Sequence, residues 1–178
     1  MGSNQAFLSD LVIRPERAED ADAIGVLTEL AFRGSKHSSG TEHLIVSELR
    51  RHGALTLSLV AEWEGEIVEH VAFSPVTISD GSKNWQGLGP VSVAPAMQGK
   101  GIGTILIERG LSELRASGAN GCVVLGEPEF YERFGFVCQP GCILDGVPPE
   151  YFMCLPFQGP FPQGTVTYHV AFETALPE

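Results

Sequence analysis

The sequence predicts a single domain of mixed α/β type built on one sheet. Apolar residues recur first at the spacing of helices, then in the alternation of strands, and later at helical spacing again before a short apolar strand. The 178 residues are enough for one domain with a well-formed core. No internal repeat or low-complexity segment divides them. We expect residues 1–10 to form a flexible leader and residues 11–178 to form the domain.

The first third of the chain is predicted to contain one short strand and two helices. The strand lies at 11–14 and is followed by an acidic cluster, in which Asp20 is placed to cap the first helix. Thr41 is placed to cap the second helix, which ends at His52-Gly53. A polar, flexible break separates the two helices.

The rest of the chain is predicted to be mostly strand, with one long helix. In chain order, we expect a hairpin of strands at 55–61 and 67–73, a strand at 85–93, a helix at about 101–117, a buried strand at 122–125, a short helix at about 129–134 and a closing strand at 165–172. Gly118 is suited to end the long helix. The Pro- and Gly-rich segment 148–164 is expected to be either a substrate lid or a dimer contact.

The net charge of the chain favours some classes of binding partner and disfavours others. Asp and Glu number 22 against 11 Lys and Arg, which gives a formal net charge of −11. Binding to nucleic acid is therefore disfavoured, because it needs basic side chains to displace the counterions of phosphates. An acidic surface instead favours a cationic small substrate. Neither a membrane-spanning segment nor a secretory signal is visible, so a cytoplasmic protein without a membrane partner is expected.

The cysteines are expected to be buried or incidental thiols. They are Cys122, Cys138, Cys142 and Cys154, and no pair has CxxC spacing. The absence of secretory features in a chain of this length disfavours a disulfide framework. A zinc site is disfavoured as well, and no metal is expected.

The segment Val91–Thr104 carries the most information about function. Gly99, Gly101 and Gly103 stand where a strand is expected to turn into the long helix. Glycine permits unusual backbone angles and lets a ligand approach the main chain closely. Unpaired amides at the start of a helix form an anion site together with the helix dipole, and Lys100 adds a positive charge. The ligand that we expect is a pyrophosphate.

Two other phosphate-binding patterns do not fit this loop. A Walker-A motif would need glycine at Ala94 and Ser or Thr at Gly101. A dinucleotide-binding motif would need glycine at Leu106. The alternative that remains is a tight strand–helix turn that needs its glycines for packing alone.

The strand before the loop supplies a second clue. Gly87-Leu88-Gly89-Pro90 interrupts it, and Pro90 has no N–H for a sheet ladder. We therefore expect this strand to bulge and to part from its neighbour. The main chain at Val91 and Val93 is then free to pair with an extended ligand that carries amides. Pantetheine carries two amides and is attached to a pyrophosphate, so both clues favour coenzyme A.

The glycine-rich segment also resembles the motif of a known family. Val93-x-Pro95-x-x-Gln98-Gly99-Lys100-Gly101-Ile102-Gly103 is similar to motif A of the GNAT superfamily of N-acetyltransferases, and the chain resembles most its bacterial YhbS-like branch. The segments 71–76, 125–136 and 164–169 match as well, and the similarity runs from about Val12 to Phe172. Glu69 departs from the family, which usually has glycine at that position, and the resemblance implies that a charge there could face the acceptor cleft.

The resemblance implies a GNAT-like acyl-CoA N-acyltransferase fold, with a mostly antiparallel central sheet, splayed central strands and flanking helices. It also implies direct attack of a primary amine on bound acetyl-CoA. Val91 and Val93 would hold the pantetheine arm. The main chain of seven consecutive residues would hold the pyrophosphate: Gln98, Gly99, Lys100, Gly101, Ile102, Gly103 and Thr104.

Tyr131 stands at the family's general-acid position. The departing thiolate needs a proton donor, and a phenol, with a pKa of roughly 10, is protonated at neutral pH. The alternative is that Tyr131 is only a half-buried ring among neighbouring phenylalanines. Glu127 is the first candidate for a general base, because in the family the end of the preceding strand lies beside the cleft. The other candidates are a chain of waters and the side chains of Glu42, His43, Glu69 and His70.

Two further functional classes compete with the acetyltransferase. One is a non-catalytic acyl-CoA-binding sensor that kept the cofactor loop and lost turnover, and the other is a nucleotide-phosphate binder that uses the same loop. The acceptor amine, whether small molecule or peptide, is not determined by these residues. The same holds for the choice between a monomer and a homodimer.

Overall fold

The computed structural model describes residues 7–36 and 38–175. Of the predicted leader, residues 1–6 lie outside the described residues. Residues 7–9 form a helical turn, and the ring of Phe7 packs on that of Trp63 with 5.2 Å between centroids. Within the two described ranges, no helix is both long enough and apolar enough to cross a membrane.

The elements alternate along the chain much as their periodicity predicts. The helices are α1 (Ala21–Phe32), α2 (Glu42–Arg51), α3 (Ile102–Ala116) and α4 (Pro128–Tyr131). The strands are β1 (Val12–Pro15), β2 (Leu57–Trp63), β3 (Glu66–Ile78), β4 (Trp85–Val93), β5 (Gly121–Leu125), β6 (Cys142–Ile143), β7 (Phe152–Pro156) and β8 (Gly164–Thr167).

One sheet runs through the molecule in the order β1-β2-β3-β4-β5-β7, with β8 pairing to β3 and β6. All neighbours are antiparallel except two pairs, β4 with β5 and β6 with β8. The expected mixed and mostly antiparallel sheet is therefore confirmed.

The two faces of the sheet carry different helices. On the first, which we call the α1 face, Ile24 of α1 and Val46 of α2 pack on Val60 of β2. On the other, the α3 face, Leu106 of α3 lies in a larger core with Phe73 of β3. Each such fully buried side chain contributes about 1.5–3 kcal/mol to stability. Because strand residues alternate between faces, the position of any side chain on a strand shows which helices it meets.

The predicted caps of the first two helices are wrong. The Asp20 carboxylate makes no hydrogen bond to α1, and instead accepts from the Arg17 N–H at 2.6 Å and from the Arg14 guanidinium at 2.6 and 3.0 Å. A charge-assisted bidentate pair of this kind is stronger than a neutral cap. The Thr41 hydroxyl likewise makes no bond to α2 and lies 2.8 Å from the Ser39 hydroxyl.

Two expectations for the C-terminal third also need correction. The segment 148–164 is not solely a lid or a dimer contact, because β7 within it pairs with β5 along its whole length. The closing strand ends at Thr167, five residues earlier than predicted. Past it, His169 Nδ1 accepts the Ala171 N–H at 3.1 Å, and a 3-10 helix over Val170–Ala175 follows.

Candidate active site

A gap opens in the sheet between β4 and β5. The two strands pair in parallel as far as Leu88 with Val124, and in the described chain no further pair joins them. Beyond this point Gly89 and Pro90 stand opposite a single residue of β3, Ala72, which makes a β-bulge. The predicted bulge and parting at Pro90 are therefore confirmed.

Val91 and Val93 turn their main-chain groups toward the gap. The Ala94 N–H donates to the Val68 carbonyl at 2.9 Å, and hydrogen-bonded pairs alternate with non-bonded pairs along an antiparallel ladder. Val91 and Val93 thus occupy non-bonded pairs, whose N–H and C=O groups point away from β3. The Val93 carbonyl accepts from the Gln98 side chain at 3.2 Å. The Val91 groups and the Val93 N–H remain oriented toward the gap.

The loop after β4 presents main-chain amides at the start of α3. Gly99 and Gly101 have φ angles of +76° and +81°, a left-handed conformation that side chains disfavour. The first amides of a helix have no partner inside it. Throughout residues 7–36 and 38–175, no segment outside the helix accepts a hydrogen bond from the main chain of Gln98–Thr104. The loop therefore has main-chain donors that are not used by the rest of the described chain.

The side chains of this loop differ in their surroundings. Ile102 is buried in the core of the α3 face. Lys100 is exposed, and its Nζ lies 5.4 Å from the centroid of the Phe7 ring. Gly103 and Thr104 are half-buried at the first turn of α3. The structure thus places the predicted pyrophosphate-binding residues in one continuous turn.

Tyr131 lies beside the end of β5, next to the gap. A Cβ atom at Gly126 would collide with its ring, so the ring packs directly on the main chain there. The ring centroid is 4.9 Å from that of Phe130 and 6.1 Å from that of Phe136. Burial raises the pKa of Tyr131 to about 12, which keeps the phenol protonated at neutral pH. Tyr131 is therefore both a packed, half-buried ring and a protonated phenol, and its role as general acid stays a prediction.

A cleft of about 600 Å³ opens on the α1 face at the other side of the gap, and we call it the α1-face cleft. Gly89 and Pro90 of the bulge and Leu125 at the end of β5 line it. Its walls come from the ends of α1 and α2 and from the C-terminal segment 165–173. The charged side chains that line it are all acidic: Glu42, Asp145 and Glu173.

Five side chains are candidate bases, and their environments differ. His43 is half-buried on α2, and its Nδ1 makes no hydrogen bond in the described chain. Glu127 is exposed at the start of α4, two residues after the end of β5. Glu42 lines the α1-face cleft, but its carboxylate already accepts hydrogen bonds from Ser38 and Ser39 at 2.9 Å each. The other two candidates lie on β3.

His70 and Glu69 point to opposite faces of β3. His70 is fully buried on the α1 face with its Nε2 2.8 Å from the Ser58 hydroxyl, and burial lowers its pKa to about 4. Such a weak base is poorly matched to an ammonium group. Glu69 points toward α3 with Val71 and Phe73. Glu69 therefore lies on the face of the sheet opposite the α1-face cleft.

Comparison with known proteins agrees with this geometry. A family model of the acetyltransferase (GNAT) domain matches residues 55–138. The N-acetyltransferase YhbS of Escherichia coli K12 is 38% identical over 127 residues, which are 71% of this chain and 73% of that protein. This chain belongs to the GNAT acetyltransferase family. The N-acetyltransferase YjhQ of the same organism is 34% identical over 134 residues, 74% of this GNAT chain and 71% of YjhQ.

Two solved GNAT structures resemble this GNAT acetyltransferase over nearly its whole length. One is a GNAT acetyltransferase from Brucella melitensis in complex with acetyl-CoA, at 51% identity and a TM-score of 0.82, covering 91% of this chain and 97% of that chain. The other is Escherichia coli YhbS in complex with CoA, at 32% identity and a TM-score of 0.81, covering 92% of each chain.

Sequence reasoning missed most of the α1-face cleft of this GNAT acetyltransferase. Phe32, Asp145, Tyr168 and Glu173 come from segments far apart in the chain, so no local pattern joins them. The sequence does contain one indication of this cleft, at Gly87. A glycine inside a strand often marks close approach of another group, and the Tyr168 ring lies where a Cβ at Gly87 would be.

Proposed function

We propose that this GNAT acetyltransferase moves the acetyl group of acetyl-CoA to a primary amine by direct attack. The observation that carries the proposal is the gap between β4 and β5. The α1-face cleft reaches the gap at Gly89, Pro90 and Leu125, and β4 continues beyond the gap into the loop that carries the amides of Gln98–Thr104. The Brucella melitensis relative is in complex with acetyl-CoA and Escherichia coli YhbS with CoA, which supports the same ligand for this chain.

The main chain supplies the proposed binding groups. The amides of Gln98–Thr104 bind the diphosphate, since the free end of α3 carries a partial positive charge. Val91 and Val93 pair with the pantetheine amides as a neighbouring strand would. Backbone N–H groups near Val93 polarise the thioester carbonyl, an oxyanion-type contribution.

The chemistry needs two proton transfers. The amine nitrogen bonds to the carbonyl carbon, the carbon–sulfur bond breaks, and Tyr131 donates its proton to the departing thiolate. The proton of the attacking amine leaves to a base. Glu127 remains our first candidate for that base, with Glu42, His43 and a chain of waters as the alternatives.

The lining of the α1-face cleft favours a cationic acceptor with an apolar part. Apolar residues form most of its surface, and its charges come from three carboxylates, while none of its lining residues is lysine or arginine. A net charge of −11 adds a long-range attraction for cations. Diamines and longer polyamines fit this description, because one amine reacts while another ammonium pairs with a carboxylate.

Turnover with a panel of amines tests the proposed function. The purified chain is incubated with acetyl-CoA and polyamines, aminoglycosides, amino acids or peptides, and released thiol is measured. We expect amine-dependent release of CoA. Binding of acetyl-CoA without turnover on the whole panel would instead indicate a sensor. Thermal stabilisation by ATP or NAD but not by CoA would indicate a nucleotide binder.

Removing two carboxylates from the α1-face cleft should weaken diamine binding. In the double variant Asp145→Asn, Glu173→Gln, we expect KM for a diamine to rise about fivefold, since each exposed ion pair contributes at most about 1 kcal/mol. KM for a monoamine of similar length should change less than twofold. The double variant Glu64→Gln, Glu66→Gln on the exposed β2–β3 turn removes the same charge elsewhere and is the control. Equal effects of both double variants would contradict the assigned acceptor site.

A further inference from the structure

The carboxyl of Glu69 is buried without a partner. Its side chain is 0% exposed, and in the described chain neither carboxyl oxygen makes a hydrogen bond. A buried polar group without a partner costs free energy of folding, so its presence in the middle of a sheet calls for a physical reason. The acid–base reaction proposed above does not use it.

Glu69 lies against the first turn of α3. Its Oε1 is 3.5 Å from the position that a Cβ atom would take at Gly103. Phe130 Cζ and Val93 Cγ2 are 3.7 and 4.0 Å from the same point. The carboxyl therefore occupies an apolar space at the positive end of α3, directly beside the turn that carries the free amides.

Burial decides the charge of this carboxyl. It raises the pKa of Glu69 to about 8, with no contribution from a charged neighbour. At neutral pH the group is mostly protonated, and above pH 8 it is mostly a carboxylate. The ionised form would place a second anion close to any phosphate bound at the same helix end, in a space from which water is excluded.

We propose that acetyl-CoA binds with Glu69 protonated, because a diphosphate and an ionised Glu69 compete for the positive end of α3. This inference rests on the proposed function, since it takes the loop Gln98–Thr104 as the diphosphate site. Binding of acetyl-CoA and uptake of a proton are then linked, so affinity for the donor falls as pH rises.

In the described chain, no other titrating group contributes to the pKa of Glu69. β2 places Ala61 opposite it, β4 places Val93 opposite it, and α3 presents Gly103, beside which Phe130 of α4 lies. The Arg133 guanidinium lies over the Phe130 ring, 4.7 Å from its centroid. The nearest charge on the loop is Lys100, whose Nζ lies over the Phe7 ring instead.

The dissociation constant of acetyl-CoA at pH 7 and pH 9 tests the inference. With a pKa of about 8 for the free protein, Kd should rise about tenfold between these values. The variant Glu69→Gln is a neutral replacement of the same shape, and its Kd should change less than twofold between these pH values. Glu69→Gly, which removes the carboxyl altogether, should also lose the pH dependence of Kd. Glu66→Gln removes an exposed charge from the same strand and should keep the wild-type dependence.

Calorimetry in buffers of different ionisation enthalpy gives an independent measurement. At pH 8.5, the wild type should take up about three quarters of a proton more per bound acetyl-CoA than Glu69→Gln. The phosphates of the ligand titrate equally in both proteins and cancel in the difference. Equal proton uptake, or an equal pH dependence of Kd in both proteins, would overturn the inference while leaving the proposed function intact. Failure of the wild type to bind acetyl-CoA at either pH would overturn both.

The stability of the free protein checks the burial on which the inference depends. A carboxyl whose pKa is higher in the folded than in the unfolded state makes stability fall as pH rises from about 4.5 to about 8. The melting temperature of Glu69→Gln should therefore exceed that of the wild type by more at pH 8 than at pH 5. A difference independent of pH would show that Glu69 ionises as in water, and it would overturn the inference.

Discussion

Replacing Gly101 with alanine should weaken acetyl-CoA binding by about 100-fold. Gly101 has a φ of +81° immediately before α3, and an alanine there costs about 1–2 kcal/mol in the left-handed region. Relief of that strain rotates the neighbouring amides away from the diphosphate. Loss of two charge-assisted hydrogen bonds of about 1.5 kcal/mol each gives about 3 kcal/mol, which corresponds to about 100-fold in Kd. Calorimetric titration with acetyl-CoA measures the change.

The same helix provides a matched control at its other end. Gly118 has a φ of +88°, and, as at Gly101, a Cβ atom there would meet no heavy atom within 4 Å. Gly118→Ala should therefore lower the melting temperature about as much as Gly101→Ala, yet leave Kd for acetyl-CoA within about twofold of the wild type. If both variants bind acetyl-CoA equally well, the loop does not hold the diphosphate.

Replacing Tyr131 with phenylalanine should lower kcat about 100-fold. The variant keeps the ring that packs on Gly126 and removes only the hydroxyl, so the thiolate loses its proton donor. Kd for acetyl-CoA should change less than twofold, because the proposed binding groups are main-chain amides elsewhere. Because the pKa of Tyr131 is about 12, loss of its proton should not contribute an alkaline limb to the wild-type rate below about pH 10. Steady-state kinetics and calorimetry on the same preparations separate the two effects.

Tyr151→Phe is the control for this variant. It removes a phenol hydroxyl from a half-buried ring that we assign no part in the reaction. Its kcat should stay within about twofold of the wild type. Unchanged turnover in Tyr131→Phe would show that another group protonates the thiolate, and that Tyr131 serves only to pack the end of β5.

The sequence predicted the fold well where hydrophobic periodicity is strong. The order of helices and strands as far as α4, the hairpin of β2 and β3 and the length of α3 all follow from it, whereas β6 and β7 were not predicted. The closing strand was predicted to be too long because the alternation of apolar and polar residues in 165–172 continues past Thr167. The residues after Thr167 instead form a turn in which His169 accepts a hydrogen bond from the main chain. The predicted cap at Asp20 failed because Arg14, which the fold brings against the start of α1, binds the Asp20 carboxylate. Tertiary ion pairs of this kind have no local signature.

The candidate site also has one part that the sequence predicts and one part that it does not. The loop could be predicted because the end of the strand, the glycines and the start of the helix all lie within the 14 residues of Val91–Thr104. Pro90 likewise predicts the bulge. The α1-face cleft is built from residues as far apart as Phe32 and Glu173, which only the folded chain brings together. The orientation of Glu69 was also beyond sequence reasoning. Two adjacent polar residues, Glu69 and His70, break the alternation that would assign each to a face.

The bulge at Gly89 and Pro90 has a consequence for the order of events in the proposed reaction. It opens the sheet between β4 and β5, so in the proposed reaction the two substrates would approach the gap from opposite faces and would not obstruct each other. Both would then be bound at once, and transfer would proceed within a ternary complex, without an acetylated enzyme as a stage. Each product would also leave by the route through which its precursor arrived, so slow dissociation of CoA would not trap the acetylated amine.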